Sequence, residues 1–380
     1  KNPKGIIEHF KKFREIRRIL DAGPRKSSAL LVSGLQVDLI VQPTIAFGAL
    51  LQHFTGSKNH NIHLREYAIK KGWSVSDYGI KVNGKTKEFK TEEEFYKFLG
   101  MDYIVPELRE DSGEIEAALR SAQGKPNGLP KVVDLMDIKG DIHLHSNYPI
   151  EPSHDLGTGS FEEIIKKAKS LNYEYVGFSD HSPGFSTHTS EQIISLIRKR
   201  KEKIEQLKSS HKNFGILNLL EIDVLTNGKL SVPEEGLKFL DGAIAGIHSS
   251  HHQDKKSITK RLLTAINSPY VQVISHPTGR LLEQRESYEV DWDKIFGACK
   301  KTKTILEINA WPSRLDLPDV SVKEAIHWGI KLIINSDAHA INQMDNMKFG
   351  IAVARRGWAT KDDIINTLPW EKFKKYFKTS

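Results

Sequence analysis

Seven short stretches decide the fold: GDIHLHS (140–146), EYVGFSDH (174–181), ILNLLEI (216–222), GAIAGIH (242–248), YVQVISH (270–276), KTILEIN (303–309) and KLIINSDAH (331–339). Each is largely apolar with polar residues at or near its end, and six of the seven have histidine or a carboxylate as the last or next-to-last residue. Helical patterns separate them, among them SFEEIIKKAKSL (160–171), SEQIISLIRKRKEKIEQLKSS (190–210), KSITKRLLTAIN (256–267), DWDKIFGACKK (291–301) and SVKEAIHWG (321–329). Alternation of strand and helix predicts a parallel sheet covered by helices, and seven strands favour a barrel over an open sheet. A barrel presents its strand ends at one rim. That rim would hold His143, His145, His181, Glu221, His248, His276, Asp337 and His339.

These residue types suit a metal cluster. Residues two apart on a strand share a face, so His143 and His145 aim two imidazoles at one point. Asp337 and His339 repeat that spacing on the last strand. Glu221 ends an apolar strand, where a carboxylate without a partner would be costly. Imidazole and carboxylate together accept manganese, zinc or iron. The set has room for two or three ions, which can clamp a phosphoryl centre and acidify a bound water. Hydrolysis of a phosphate ester is the reaction this predicts. Arg280 and Arg314 lie just past strand ends, where they could hold substrate phosphates or be ordinary surface arginines. Trp311 reads as a core residue, with base stacking as the alternative. His251 and His252 read as an exposed loop, and His53, His60 and His63 lack carboxylates at ligand spacing in the sequence.

The length of 380 residues suggests two or three domains. The Ser/Gly/Pro-rich run SAQGKPNGLP (121–130) is the best boundary. The longest apolar run, residues 29–51, is broken by Asp38, Gln36, Gln42 and Pro43, so no membrane span and no signal peptide are read. The one cysteine, Cys299, excludes an intrachain disulfide and a thiolate metal site and fits a cytoplasmic location. Residues 1–100 carry 18 Lys and Arg against 10 Asp and Glu, which is the whole net charge of +8. A basic module of that kind suits a polyanion such as nucleic acid. Within it, residues 1–20 read as a basic amphipathic helix and 28–33 and 35–42 as strands. Helices are read at 46–54, 60–72 and 91–100, and a hairpin turning on Asn83-Gly84 at 77–89.

At DIHLHS, SDHS, LEIDVLTNGKL, IAGIHS, ISHPTGRLL, LEINAWPSRLDL and NSDAH the chain resembles a PHP (polymerase and histidinol phosphatase) domain, as appended to bacterial family X DNA polymerases. YIVPELREDSGEIEAAL (103–119) is also typical of those polymerases. The resemblance implies an α/β chain: a distorted, TIM-like (β/α)7 barrel over 131–380, preceded by a smaller α+β module. In that module 1–42 would end the nucleotidyltransferase palm, 43–120 would be the thumb and its connection, and 121–130 the linker. It also implies a trinuclear site: one ion on His143, His145, Glu221 and Asp337, a second on Glu221, His248 and His276, a third on His181, His339 and an acid. HSNYPIEPSHDLG is longer than the usual motif, which leaves Asp155 as that acid and His154 as its competitor. Relatives of this kind use manganese to degrade DNA from the 3′ end, and some process abasic or blocked ends. The alternative is a small-molecule phosphatase of the histidinol-phosphatase type.

GLQVDLIV carries Asp38, which matches the last of three magnesium-binding carboxylates in the polymerases. HFTGSKNHNIHLR resembles their thumb motif. That likeness would make Phe54 and Gly56 the sugar pocket, Asn61 a minor-groove contact and Arg65 a template contact, with His53 where tyrosine is often found. The Asp-x-Asp pair of the family would lie upstream of Lys1. The chain as given is therefore expected to bind DNA (primer–template, gaps or 3′ ends) without polymerising, whereas a complete parent would also take dNTP and magnesium.

Overall fold

The computed structural model describes residues 2–377. The chain divides into two compact units, Lys1–Leu129 and Pro130–Ser380.

The first unit opens with helix α1 (Pro3–Phe10), and then departs from the sequence reading. Residues expected to continue that helix form strand β1 (Ile16–Ala22), antiparallel to β2 (Lys26–Leu31), which in turn pairs with β3 (Gln36–Ile40). Pairing with β2 gives the backbone of 16–22 its hydrogen bonds, and such tertiary pairing overrides helical propensity. Helices α2 (Phe47–Thr55) and α3 (Lys58–Lys70) follow, the second capped by the Ser57 hydroxyl, which accepts from His60 N at 3.3 Å. Strands β4 (Ser74–Ser76), β5 (Gly79–Val82) and β6 (Lys85–Lys87) make a small antiparallel sheet. Its hairpin turns on Asn83-Gly84, both at positive φ, as a two-residue turn between twisted strands requires. Helix α4 (Glu92–Leu99) starts at an N-cap Thr91 with three glutamates in its first turn, which suits the helix dipole. Helix α5 (Glu114–Ala122) runs into the stretch expected to be linker, so Ser121 and Ala122 are helical.

The second unit alternates as expected. Its strands are β7 (Gly140–Leu144), β8 (Tyr175–Phe178), β9 (Gly215–Asp223), β10 (Gly242–Gly246), β11 (Val271–Ile274), β12 (Ile305–Asn309) and β13 (Leu332–Asn335). They pair in parallel in chain order. Between and after them run α6 (Phe161–Ser170), α7 (Ser190–Ser210), α8 (Glu234–Leu237), α9 (Lys255–Ile266), α10 (Trp292–Thr302), α11 (Asp319–His327), α12 (Met347–Arg356) and α13 (Trp370–Phe373). The ring closes where β7 meets the end of β13, through a Leu144–Ala338 bridge and a His145 N to Ala338 O bond of 2.9 Å. Side chains reinforce that seam: Ser336 Oγ donates to Asp141 at 2.5 Å and Ile142 N to Asn335 Oδ1 at 3.2 Å.

Alternation along the strands builds both core and site. Leu217, Leu219, Val273, Ile305 and Ile333 share a buried apolar cluster that includes Tyr175 and Phe373, stacked 4.2 Å apart. Two residues further along the same face, Leu219 gives way to Glu221, Ile305 to Glu307 and Ile333 to Asn335. The barrel interior thus changes from apolar to ionisable along its strands. A second, larger cluster, including Phe161, Ile197, Leu262, Phe296 and Ile351, seals the helices onto the outside.

Candidate metal centre

Glu221 is the hub of the rim. Its Oε2 lies 3.2 Å from His143 Nε2, 3.6 Å from His145 Nε2 and 3.2 Å from His181 Nδ1. Its Oε1 lies 2.8 Å from His276 Nε2 and 3.1 Å from His248 Nε2. Asp337 Oδ1 faces His143 Nε2 at 3.4 Å and His145 Nε2 at 3.2 Å. His143, His145, Glu221 and Asp337 form one compact donor group, His181, Glu221 and His248 a second, and His145, His181 and His339 a third. Asp155, well exposed, approaches the third, 3.8 Å from His181 Nε2 and 3.6 Å from His339 Nε2. His154 also reaches the rim, its ring 4.8 Å from those of His181 and His248 and its Nδ1 4.0 Å from Asp223 Oδ1, and it forms a further donor group with Asp223 and His248. His154, Asp155, His181, Glu221, His248, His276, Asp337 and His339 line a cavity of about 360 Å³ together with Leu281, Trp311, Arg314 and Gln343.

The donors fit divalent cations. Nε2 of His143, both ring nitrogens of His145, Nδ1 of His181 and Nε2 of His339 are buried without a hydrogen-bond partner. Buried polar atoms are rarely left so. Ligands about 2.1 Å from one ion sit about 3.0–3.4 Å apart at octahedral to tetrahedral angles. The nitrogen–oxygen separations of the first group, 3.2 to 3.6 Å, are of that size.

Electrostatics points the same way. Burial opposes ionisation of Glu221, but His143, His248 and His181 outweigh it and hold the carboxyl well below its usual range. Asp337 is lowered in the same way against burial, chiefly by His143 and His145. Burial disfavours charge on His143 too, yet Glu307, Asp337 and Glu221 raise it well above an ordinary imidazole. His248 is pushed up to about 10 against burial by Glu221 and Asp223. Burial, with Arg314 second, pushes His276 down to about 4, and burial lowers His181 and His339. The carboxylates draw positive charge into the site, and protons and cations compete for it.

An outer layer that the sequence reading missed fixes these rings. Glu307, fully buried, accepts from His143 Nδ1 at 2.7 Å, His276 N at 2.9 Å, Asn335 Nδ2 at 2.9 Å and Asn309 Nδ2 at 3.1 Å. Asp223 holds His248 Nδ1 at 2.5 Å. Such partners set tautomer and ring orientation. Glu307 carried the same signal as Glu221, a carboxylate inside an apolar strand. Asp180 accepts from Ser146 N at 2.5 Å and is itself gripped by buried Arg200 at 2.6 and 2.9 Å.

Three expectations need correcting. Trp311, read as core, is half-buried and lines the cavity. Arg280 gives its Nε to Arg314 O at 2.8 Å and an Nη2 to Leu315 O, so it braces the 311–317 loop, while Arg314 lines the cavity. His251 is no free loop residue: its Nε2 bonds Ile247 O at 3.1 Å, and burial pushes it down to about 4.

The family model described as DNA polymerase beta thumb matches residues 50–110. A Bacillus subtilis (strain 168) protein called DNA polymerase/3′-5′ exonuclease PolX is 34% identical over 99% of this chain and 64% of its own length. By these matches the chain is similar to the bacterial family X DNA polymerases. It spans just under two thirds of that relative's length. A probable phosphatase of Thermoanaerobacter sp. (strain X514) is 27% identical over 63% of this chain and 94% of its own length. A solved ternary complex of Leishmania infantum polymerase beta aligns over 28% of this chain and 53% of that one, at 24% identity and a TM-score of 0.25.

The thumb-motif residues sit on α2, α3 and the turn between them. Phe54 is 55% exposed, and Gly56 ends α2 at a φ of 76°. Asn61 accepts from Gln52 Nε2 at 2.8 Å and donates to His53 O at 2.7 Å, which locks its side chain. Arg65 Nη2 lies 3.3 Å from His53 Nδ1, and burial followed by Arg65 lowers the pKa of that histidine. Asp38 is exposed on β3, opposite Ser28, whose hydroxyl lowers its pKa. His60 and His63 do have carboxylate partners, contrary to expectation: Glu114 at 2.7 Å, and Asp111 and Glu116 at 3.0 and 3.3 Å. Those acids are about 50 residues away in the chain, beyond any local spacing rule.

Proposed function

We propose that the second unit is a divalent-metal-dependent phosphoesterase that removes nucleotides from DNA 3′ ends. We propose too that the first unit, the end of a palm with a thumb, holds that DNA. One observation carries the reading: a buried glutamate within 3.6 Å of five imidazoles, with Asp337 beside it and several ring nitrogens lacking partners. His143, His145, Glu221 and Asp337 would hold one ion, Glu221 with His248 and His276 a second, and His181, His339 and Asp155 a third. Asp155 is preferred to His154 because it lies between His181 and His339. Bound there, such ions supply an acidified water and neutralise charge on the phosphate.

The protein's own residues do the rest. Arg314, 3.7 Å from Asp337 Oδ2, stands where it can grip the phosphate and set its orientation. Glu307 and Asp223 keep the imidazoles of His143 and His248 in the tautomer that presents Nε2 to the cavity. Manganese is the ion we favour, with zinc and iron as the others this donor set accepts. The whole protein, we infer, also performs nucleotidyl transfer with magnesium and dNTP, with Asp38 as one of its carboxylates.

The similarity to a probable phosphatase supports a second reading, hydrolysis of a small phosphomonoester such as histidinol phosphate. The thumb match and the basic first hundred residues favour DNA. The test is release of mononucleotides from 3′-labelled single-stranded DNA with and without manganese, beside phosphate release from histidinol phosphate. Manganese-dependent loss of the 3′ label is the expected result. Turnover of the phosphomonoester alone would transfer the case to the second reading, and activity on neither would end both.

A further inference from the structure

Trp311 is the feature that the proposed chemistry does not use. It sits on the cavity wall beside the third donor group, its ring 6.2 Å from that of His339 at 75°. A half-buried indole next to charged ligands is unusual for a loop residue with no packing task, and the loop is held firmly. Buried Asp316 accepts from Thr278 N at 3.0 and 3.1 Å, Asn309 and Asp316 form an antiparallel bridge, and Arg280 binds the carbonyls of Arg314 and Leu315. Arg314 N and Leu315 N both return to Trp311 O, at 2.8 and 3.0 Å. Trp311 N itself bonds the side chain of Asn309, a residue of the inner shell. The indole is thus presented from a preformed turn, with Arg314 three residues on. Leu281 adds an apolar surface to the same cavity.

We infer that Trp311 is the stacking platform for the 3′-terminal nucleobase of the strand being shortened, with Arg314 on the phosphate at the 5′ side of that nucleoside. This deepens the proposed DNA 3′-end hydrolysis and rests on it. A flat aromatic face accepts any base, so the pocket selects a nucleoside end without selecting its sequence. A preformed platform gains affinity because little order remains to be imposed on binding.

The test compares an ordinary 5′-fluorescein trinucleotide with one whose 3′ base is replaced by an abasic tetrahydrofuran. Two readouts are taken: fluorescence anisotropy in EDTA, and kcat/KM in manganese on longer oligonucleotides with the same two ends. The wild-type chain should favour the base-bearing end by about tenfold, from the usual strength of base–aromatic stacking. Trp311→Ala should reduce that preference to about twofold or less, and Trp311→Phe should keep most of it. A Trp311→Ala chain with unchanged preference, or equal losses on both ends, overturns the assignment. Absence of cleavage by the wild type would instead defeat the nuclease reading, while the anisotropy preference still decides on the platform.

Discussion

Two buried glutamates on neighbouring parts of the rim do different work. Glu221 touches imidazoles from four strands, so Glu221→Gln should remove the shared donor charge and abolish manganese-dependent cleavage, a fall of about a thousandfold or more. Metal content by plasma emission should fall with it. Glu307 touches His143 through the ring nitrogen that faces away from Glu221. Glu307→Gln should weaken manganese binding by about 10- to 100-fold and leave the fold intact, measurable by titration calorimetry. Asp316 gives a pH signature. Burial pushes its carboxyl up to about 6 against the hydrogen bonds from Thr278 and the nearby Arg280. The folded form therefore binds this proton more tightly than the unfolded form, and stability from this group falls as pH rises from about 4 to 6. Asp316→Asn should gain on the wild type across that window by about 2 kcal/mol, as read by urea unfolding at pH 4.5 and 7.5. A gain in the opposite direction would show that the carboxylate is better paired than its burial suggests. Asp155 was legible in the sequence as a candidate acid, and its own loop carries it to 3.8 Å from His181 Nε2. Glu307 was not, since its strand closes on Asn309 and the reading weighed only strand ends.

Elements were legible where a single periodicity governed them. The seven strands of the barrel each carry a short, largely apolar run, and α7 begins and ends where its sequence pattern does. Caps explain part of this: Ser160 with Glu163 and Thr189 with Gln192 form reciprocal capping boxes that fix the starts of α6 and α7. β1 was illegible because IRRIL suits either period and only its partner strand decides. Close packing at the rim makes one element-level test sharp. A Cβ at Gly246 would lie 2.5 Å from Ser275 Oγ, 2.7 Å from His276 Cε1 and 3.0 Å from His248 Cε1. Gly246→Ala should displace both rings, and manganese affinity should drop by about tenfold or more while circular dichroism keeps the wild-type spectrum. Unchanged calorimetric affinity would mean that β10 shifts and leaves the ligands in place.

At the scale of the whole molecule, two properties are separable. The excess positive charge lies in the first hundred residues, so binding of single-stranded DNA should weaken by about tenfold or more between 50 and 200 mM salt. Fluorescence anisotropy would show this, and a flat response would remove that module's charge from the argument. A divalent ion held at the proposed centre would support the second unit: at about 100 times its Kd it would add about 2.7 kcal/mol to the folded state. A chelator should thus lower the unfolding midpoint of the chain by several degrees, reversibly on adding the ion. Among the described residues, no helix is long and apolar enough to cross a membrane.

The seam of the barrel has a consequence for how the protein is made. His143 and His145 belong to the first strand of the ring and Asp337 and His339 follow the last, nearly 200 residues later. A nascent chain that has not yet reached residue 337 therefore owns seven of its nine candidate donors, and the compact group of His143, His145, Glu221 and Asp337 is incomplete in it. Assembly of that centre thus waits for the last strand of the ring.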